Sequence, residues 1–195
     1  MTEHVAGMHS RTPVSPFRPA YIGFAVLALA GMVAAIVIDN HWLLNFVHVM
    51  SGTLWTGIDL FMGFVVGPVL RLLPLETRRA VIGGLVPRTL VLMPTLSILT
   101  TTAGWYLAKR MGYFDLPYPE FWWVIAALAI VTVLTIQGLG YLLPTNLRLY
   151  YAFQQDNIDD AKIGRMMNMY VGIVGFQGLM QVAIMVVMAR FVTGL

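Results

Sequence analysis

His48, Trp55 and Asp59 follow one another in the apolar run Trp42–Leu70, and an arginine, Arg88, stands in the next apolar run. Ionisable side chains are costly in hydrocarbon, so each one inside such a run marks a candidate site. At about 100° per residue, steps of seven and eleven return to nearly the same helix face. His41, His48, Trp55 and Asp59 therefore form one stripe, facing inward or towards a cofactor. A neutral imidazole is a common ligand of haem iron. Ser51, Gly52 and Thr53 beside His48 are small, so a backbone or a flat macrocycle can approach closely. The competing reading of His48 is a structural hydrogen bond to another helix, for instance at the threonines Thr100–Thr102.

The elements that carry these residues follow from composition. The chain has 195 residues, of which 58% are hydrophobic and 11% charged, with no cysteine; mean hydropathy is +0.77. Soluble domains carry about 25% charged residues, so this is an all-α, polytopic membrane helix bundle. Absence of cysteine excludes disulfides, iron–sulfur clusters and thiol catalysis. The net charge of +3 does not indicate nucleic acid, because the basic residues sit at helix ends, where membrane topology explains them. Five segments have spanning length: Ala20–Ile38, Trp42–Leu70, Leu85–Ala108, Phe121–Leu143 and Tyr170–Val192. Together they make one membrane domain over residues 1–195, with residues 1–19 as an N-terminal tail. The first segment is longer than a signal-peptide core of about 7–15 residues and reads as retained. Asp39-Asn40 predicts a tight turn with a helix N-cap. Gly67-Pro68 and Pro74 are expected to close the second segment, and Pro87 and Pro94 to kink the third. Gly63, Gly67, Gly172, Gly175 and Gly178 read as close helix-packing faces.

Arg11, Arg18, Arg71, Arg78, Arg79, Arg148, Lys162 and Arg165 fall on one side of a five-span arrangement, and Lys109, Arg110 and Arg190 on the other. The positive-inside rule then predicts a cytoplasmic N-terminus and an external C-terminus, as in a bacterial inner membrane. Trp105, Tyr113, Phe114, Tyr118 and Phe121 to Trp123 read as an aromatic belt at the outer interface. Counting about 1.5 Å per residue from each outer helix end, His48 lies about 9 Å deep. Asp59, Gln137 and Gln177 lie about 24–26 Å deep, and Arg88 about 30 Å. A carboxylate and a guanidinium at matching depth should pair, so Asp59 and Arg88 are expected to be coupled. The alternative is an arginine that snorkels to the interface. His41 lies two turns from His48 and cannot ligate the same iron; Met185 or Met188, or another subunit, is left as the sixth ligand. Met166-Met167-Asn168-Met169 offers soft ligands for copper(I). No P-loop, dinucleotide-binding glycine pattern or His-Glu-x-x-His metal motif is present.

The string His48-Val-Met-Ser-Gly52-Thr-Leu-Trp55-Thr-Gly57, then Phe61, Phe64-Val-Val-Gly67-Pro68 and Leu85-Val-Pro87-Arg88-Thr-Leu90, resembles the N-terminal membrane domain of PuuD-type urate oxidases. It is similar also to helices of HemJ-type protoporphyrinogen oxidases and CopD-type copper proteins. The resemblance covers roughly residues 41–110. It implies a haem b-binding membrane protein, with His48 as the iron ligand and Arg88 as the family's basic residue. With no cytochrome c domain among these 195 residues, an oxidase of the urate type is expected to need an external electron acceptor, and neither urate nor porphyrin is expected as substrate. The resulting expectation is a haem b protein for electron transfer or quinone-linked oxidation. Its cofactor-binding residues would be His48, Trp55, Asp59 and Arg88, with His48 on the metal. Its partners would be the bilayer and a quinone or electron-transfer protein, with a homo-oligomer or a place in a larger complex as the assembly. The rival expectations are a CopD-like copper-handling or transport protein and a non-catalytic subunit of a respiratory complex.

Overall fold

The computed structural model describes residues 15–154 and 160–194. Five helices account for almost all of it: α1 Pro19–Val37, α2 His41–Leu72, α3 Leu75–Arg110, α4 Phe121–Ala152 and α5 Asp160–Thr193. No strand occurs among the described residues. Each helix contains a stretch long and apolar enough to cross a membrane. The burial pattern agrees. In α1 the buried residues are Met32 and Ala35, while Phe24 and Leu27 stand 73% and 69% exposed. A helix that is apolar all round and still presents that surface has lipid as its solvent. The chain is an integral membrane protein, with five candidate spans among the described residues.

Local sequence sets the helix ends. Arg18 precedes Pro19, whose missing N–H is no loss at a first turn. Asp39 takes a left-handed φ of 60° in the α1–α2 turn. Asn40 then caps α2, its Oδ1 accepting from the Leu43 N–H at 2.9 Å. This is the turn and cap that the Asp39-Asn40 pair predicts. Arg110 fastens the same corner, donating to the Ile36 carbonyl at 2.9 Å and pairing with Asp39 at 2.6 Å. Past α3, Gly112 adopts φ 68° and its N–H caps the Lys109 carbonyl, a conformation that favours glycine.

The expected end of the second span is corrected. Gly67-Pro68 does not close it; α2 passes through a π-helical turn at Met62–Val66 and continues to Leu72. The fourth span behaves alike, with a π segment at Ile136–Leu142 before Pro144 and helix to Ala152. Proline lacks an N–H, and its ring crowds the carbonyl four residues back. Widening the preceding turn relieves both: the Gly67 N–H reaches Met62 O, and the Leu143 N–H reaches Gly138 O. α3 also begins earlier than expected, at Leu75, and runs unbroken through Pro87 and Pro94.

α3 is the central helix, packed against α1, α2 and the second half of α4, while α5 packs on α4 and α2. Two apolar clusters hold these contacts. Ala35, Leu44, Ala103 and Leu107 join α1, α2 and α3 at one end. Trp55, Leu96 and Leu134 join α2, α3 and α4 further along, with Met180 and Ile184 of α5 against them. Gly63 and Gly178 lie where α2 meets α5; a β-carbon there would touch Val174 and Leu60 at 3.9 and 3.4 Å. Gly172 and Gly175, expected on a packing face, have nothing within 4 Å of that position. Aromatic side chains gather at one end of the bundle, including Trp105 on Phe114 and Tyr113 on Phe191.

Candidate functional site

His48 stands in the second turn of α2, on the side facing α3. Its Nδ1 lies 2.8 Å from the Thr100 carbonyl oxygen. A carbonyl can only accept, so Nδ1 carries a proton, and in the neutral ring Nε2 keeps its lone pair. Nε2 has no hydrogen-bond partner among the described residues. The ring lies against the backbone of Gly104: a β-carbon there would come within 2.7 Å of Cε1 and 2.9 Å of Nδ1. A glycine one helical turn beyond Thr100 is what lets the imidazole enter the α2–α3 seam. Ser51 continues the seam, donating to the Val47 carbonyl at 2.6 Å and accepting from the Thr100 hydroxyl at 2.8 Å. Gly52 keeps α2 close, since a β-carbon there would meet Thr100 Cγ2 at 3.3 Å. Thr100 thus supports the histidine twice, through its carbonyl and through the Ser51 contact.

Further along the same face of α2, Trp55 is buried and Asp59 partly so. Asp59 Oδ2 accepts from Gln177 Nε2 at 2.5 Å and from Gln181 Nε2 at 2.7 Å. The Trp55 indole, one turn back, is a third donor to this carboxylate. Both glutamines are almost wholly buried, at 3% and 1% exposure. Tyr170, two turns before Gln177 on α5, hydrogen-bonds to Asn146 of α4 and extends the polar strip along the bundle.

The expected Asp59–Arg88 pair does not form. Arg88 is exposed; its Nη1 donates to the Gly84 carbonyl and its guanidinium lies over the Tyr21 ring, 5.7 Å from the centroid. It closes one end of a groove of about 370 Å³ between α1 and α3, lined by Phe24, Ala25, Val91 and Leu96 among others. The reason is angular: equal depth does not set which face of α3 a residue occupies, and Arg88 faces α1. Among the described residues the one ion pair is Arg110–Asp39. Of the residues grouped with Asp59 by depth, Gln177 touches it, whereas Gln137 is half-buried with its buried Oε1 unpartnered.

The four residues expected to share one cofactor are therefore spread over three places. Asp59 lies about 16 Å along α2 from His48, and Arg88 lies about 18–24 Å along α3 from the Thr100–Gly104 seat. Trp55, about 10 Å from His48, belongs with Asp59. His41 is exposed at the start of α2. Met185, offered as a sixth ligand, is half exposed, at 50%. The side chains of Met167 and Asn168, in the copper(I) cluster, lie outside the described residues, as do Arg11 and most of the N-terminal tail. Among the described residues, His, Cys, Asp and Glu form no group of three that could hold a metal ion.

Two residues escaped the sequence reading although their signals were present. Gln181 follows Gln177 by four, the spacing of one helix face, and Gly104 ends the small-residue run Thr100–Gly104 at the level of His48. Compared with protein-family models, curated proteins and solved structures, the chain matches none.

Proposed function

We propose that the chain is a haem b-binding integral membrane protein in which His48 is an axial ligand, serving electron transfer or a quinone-linked oxidation. One observation carries this reading: the Nδ1–H of His48 donates to the Thr100 carbonyl, and Nε2 has no protein partner among the described residues. A ligating histidine is oriented through its other ring nitrogen in this way, which sets the tautomer and raises ligand basicity. Bound haem supplies one-electron redox chemistry. The chain's own residues orient the imidazole through Thr100, seat it on Gly104 and keep the neighbouring helix surface small at Ser51 and Gly52. Asp59 and Arg88 are too distant along their helices to belong to that ligand sphere.

Pyridine haemochrome content of protein purified from haem-replete cells tests the assignment. Wild type and His41→Ala are expected to carry haem, and His48→Ala to lose most of it. Retention of haem by His48→Ala overturns the ligand. A colourless wild type overturns the reading as a whole and favours the copper-handling or subunit alternatives.

The same proposal sets the protein in a bacterial inner membrane with its N-terminus in the cytoplasm. Arg71, Arg78, Arg79 and Arg148 lie beyond the π turns, at the bundle end where α1 begins; Lys109, Arg110 and Arg190 lie at the opposite end. A phosphatase reporter fused after Leu195 is expected to be active, and a green fluorescent one dark. The reverse pattern overturns the orientation.

A further inference from the structure

The Asp59 cluster has a chemical imbalance that hydrogen bonding within the bundle leaves open. Its donors are spent: the Trp55 indole and the Gln177 and Gln181 amides all converge on the carboxylate. Its acceptors are not. Oε1 of Gln177 and Oε1 of Gln181 are both buried without a hydrogen-bond partner. Covalent geometry holds each Oε1 about 2.2 Å from its own Nε2, so both oxygens lie within about 5 Å of Asp59 Oδ2. No basic side chain among the described residues pairs with Asp59. A carboxyl group within a membrane span thus lies beside two buried acceptor oxygens, with no cation among the described residues to balance it when ionised.

We propose that Asp59, Gln177 and Gln181 form a binding site for a monovalent alkali cation. Carboxylate and amide oxygens are the ligands hard cations prefer. One carboxylate balances one positive charge; a divalent ion would leave an excess charge in hydrocarbon, where isolated charges are expensive. The three ligand residues come from two helices, α2 and α5, which pack against each other. Cation binding here would therefore draw α2 and α5 together. The inference is independent of haem at His48, which lies about 16 Å away along α2.

The full-length protein in lipid nanodiscs tests it by thermal unfolding in NaCl or KCl, against N-methyl-D-glucamine chloride at equal ionic strength. A saturable rise of about 5 °C or more is expected with sodium or potassium, the size that saturating ligand confers on a chain of this length. Asp59→Asn, isosteric and uncharged, is expected to abolish the rise. Gln181→Met is expected to raise the half-saturating concentration about tenfold or more, and it keeps the test decisive should Asp59→Asn fold poorly. Equal melting in all three salts overturns the proposal, as does a rise that Asp59→Asn retains. A shift that follows pH alone also overturns it, because a proton then neutralises Asp59.

Discussion

Replacing Gly104 with alanine is expected to destabilise the protein by about 1–3 kcal/mol and to cost it most of its bound haem. The added methyl would sit 2.7 Å from His48 Cε1 and 2.9 Å from Nδ1. Neither atom belongs to a floppy side-chain end, because the Nδ1 bond to Thr100 holds the ring in place. Either that bond breaks or α2 and α3 move apart, and Gly52 against Thr100 leaves the seam little slack. Gly175→Ala is the control, since nothing lies within 4 Å of a β-carbon there. It is expected to be neutral or slightly stabilising, as alanine is the better helix former. In a His48→Ala background the Gly104→Ala penalty should largely vanish, because contacting residues are non-additive. Thermal unfolding together with haem content checks all four proteins. A Gly104→Ala protein that behaves like Gly175→Ala removes the seam as the seat of His48.

The second large effect concerns the Asp59 cluster. Changing Gln177 and Gln181 together to leucine is expected to cost about 3 kcal/mol or more, since hydrogen bonds to a charged group contribute about 1.5–3 kcal/mol each. The loss arises from a carboxylate left in the membrane with Trp55 as its remaining donor. With Asp59→Leu as the background, the same two changes should cost far less, because the group that needed them is gone. Asp59→Asn combined with Arg88→Gln should instead be additive to within about 0.5 kcal/mol, since the two side chains have separate partners. Unfolding monitored by tryptophan fluorescence measures both cycles. Strong coupling between Asp59 and Arg88 would contradict the arrangement of α2 and α3 described above.

Composition and hydropathy determined the architecture, and the reason is solvent. A span must satisfy its backbone internally and face lipid with apolar side chains, so twenty-odd apolar residues report a helix whatever packs beside them. The α1–α2 turn was legible for a similar reason: the Asn40 cap acts within a few residues of chain. The passage of α2 and α4 through Pro68 and Pro144 was not, because a proline signals a break and only the folded chain shows a π turn absorbing it.

For the site, helical periodicity put His48, Trp55 and Asp59 on one face of α2, and the structure keeps Trp55 and Asp59 together. What periodicity could not supply was the rotation of one helix against the next. Depth is a one-dimensional coordinate, counted from a helix end, and it made Arg88 as good a partner for Asp59 as Gln177. The tertiary structure decided between them. Where α5 packs on α2, Gln177 and Gln181 meet Asp59, while Arg88 faces α1 and Tyr21. The identity of the buried groups was written in the sequence, and their pairing was set by helix–helix packing, which depends on small residues distributed over separate spans.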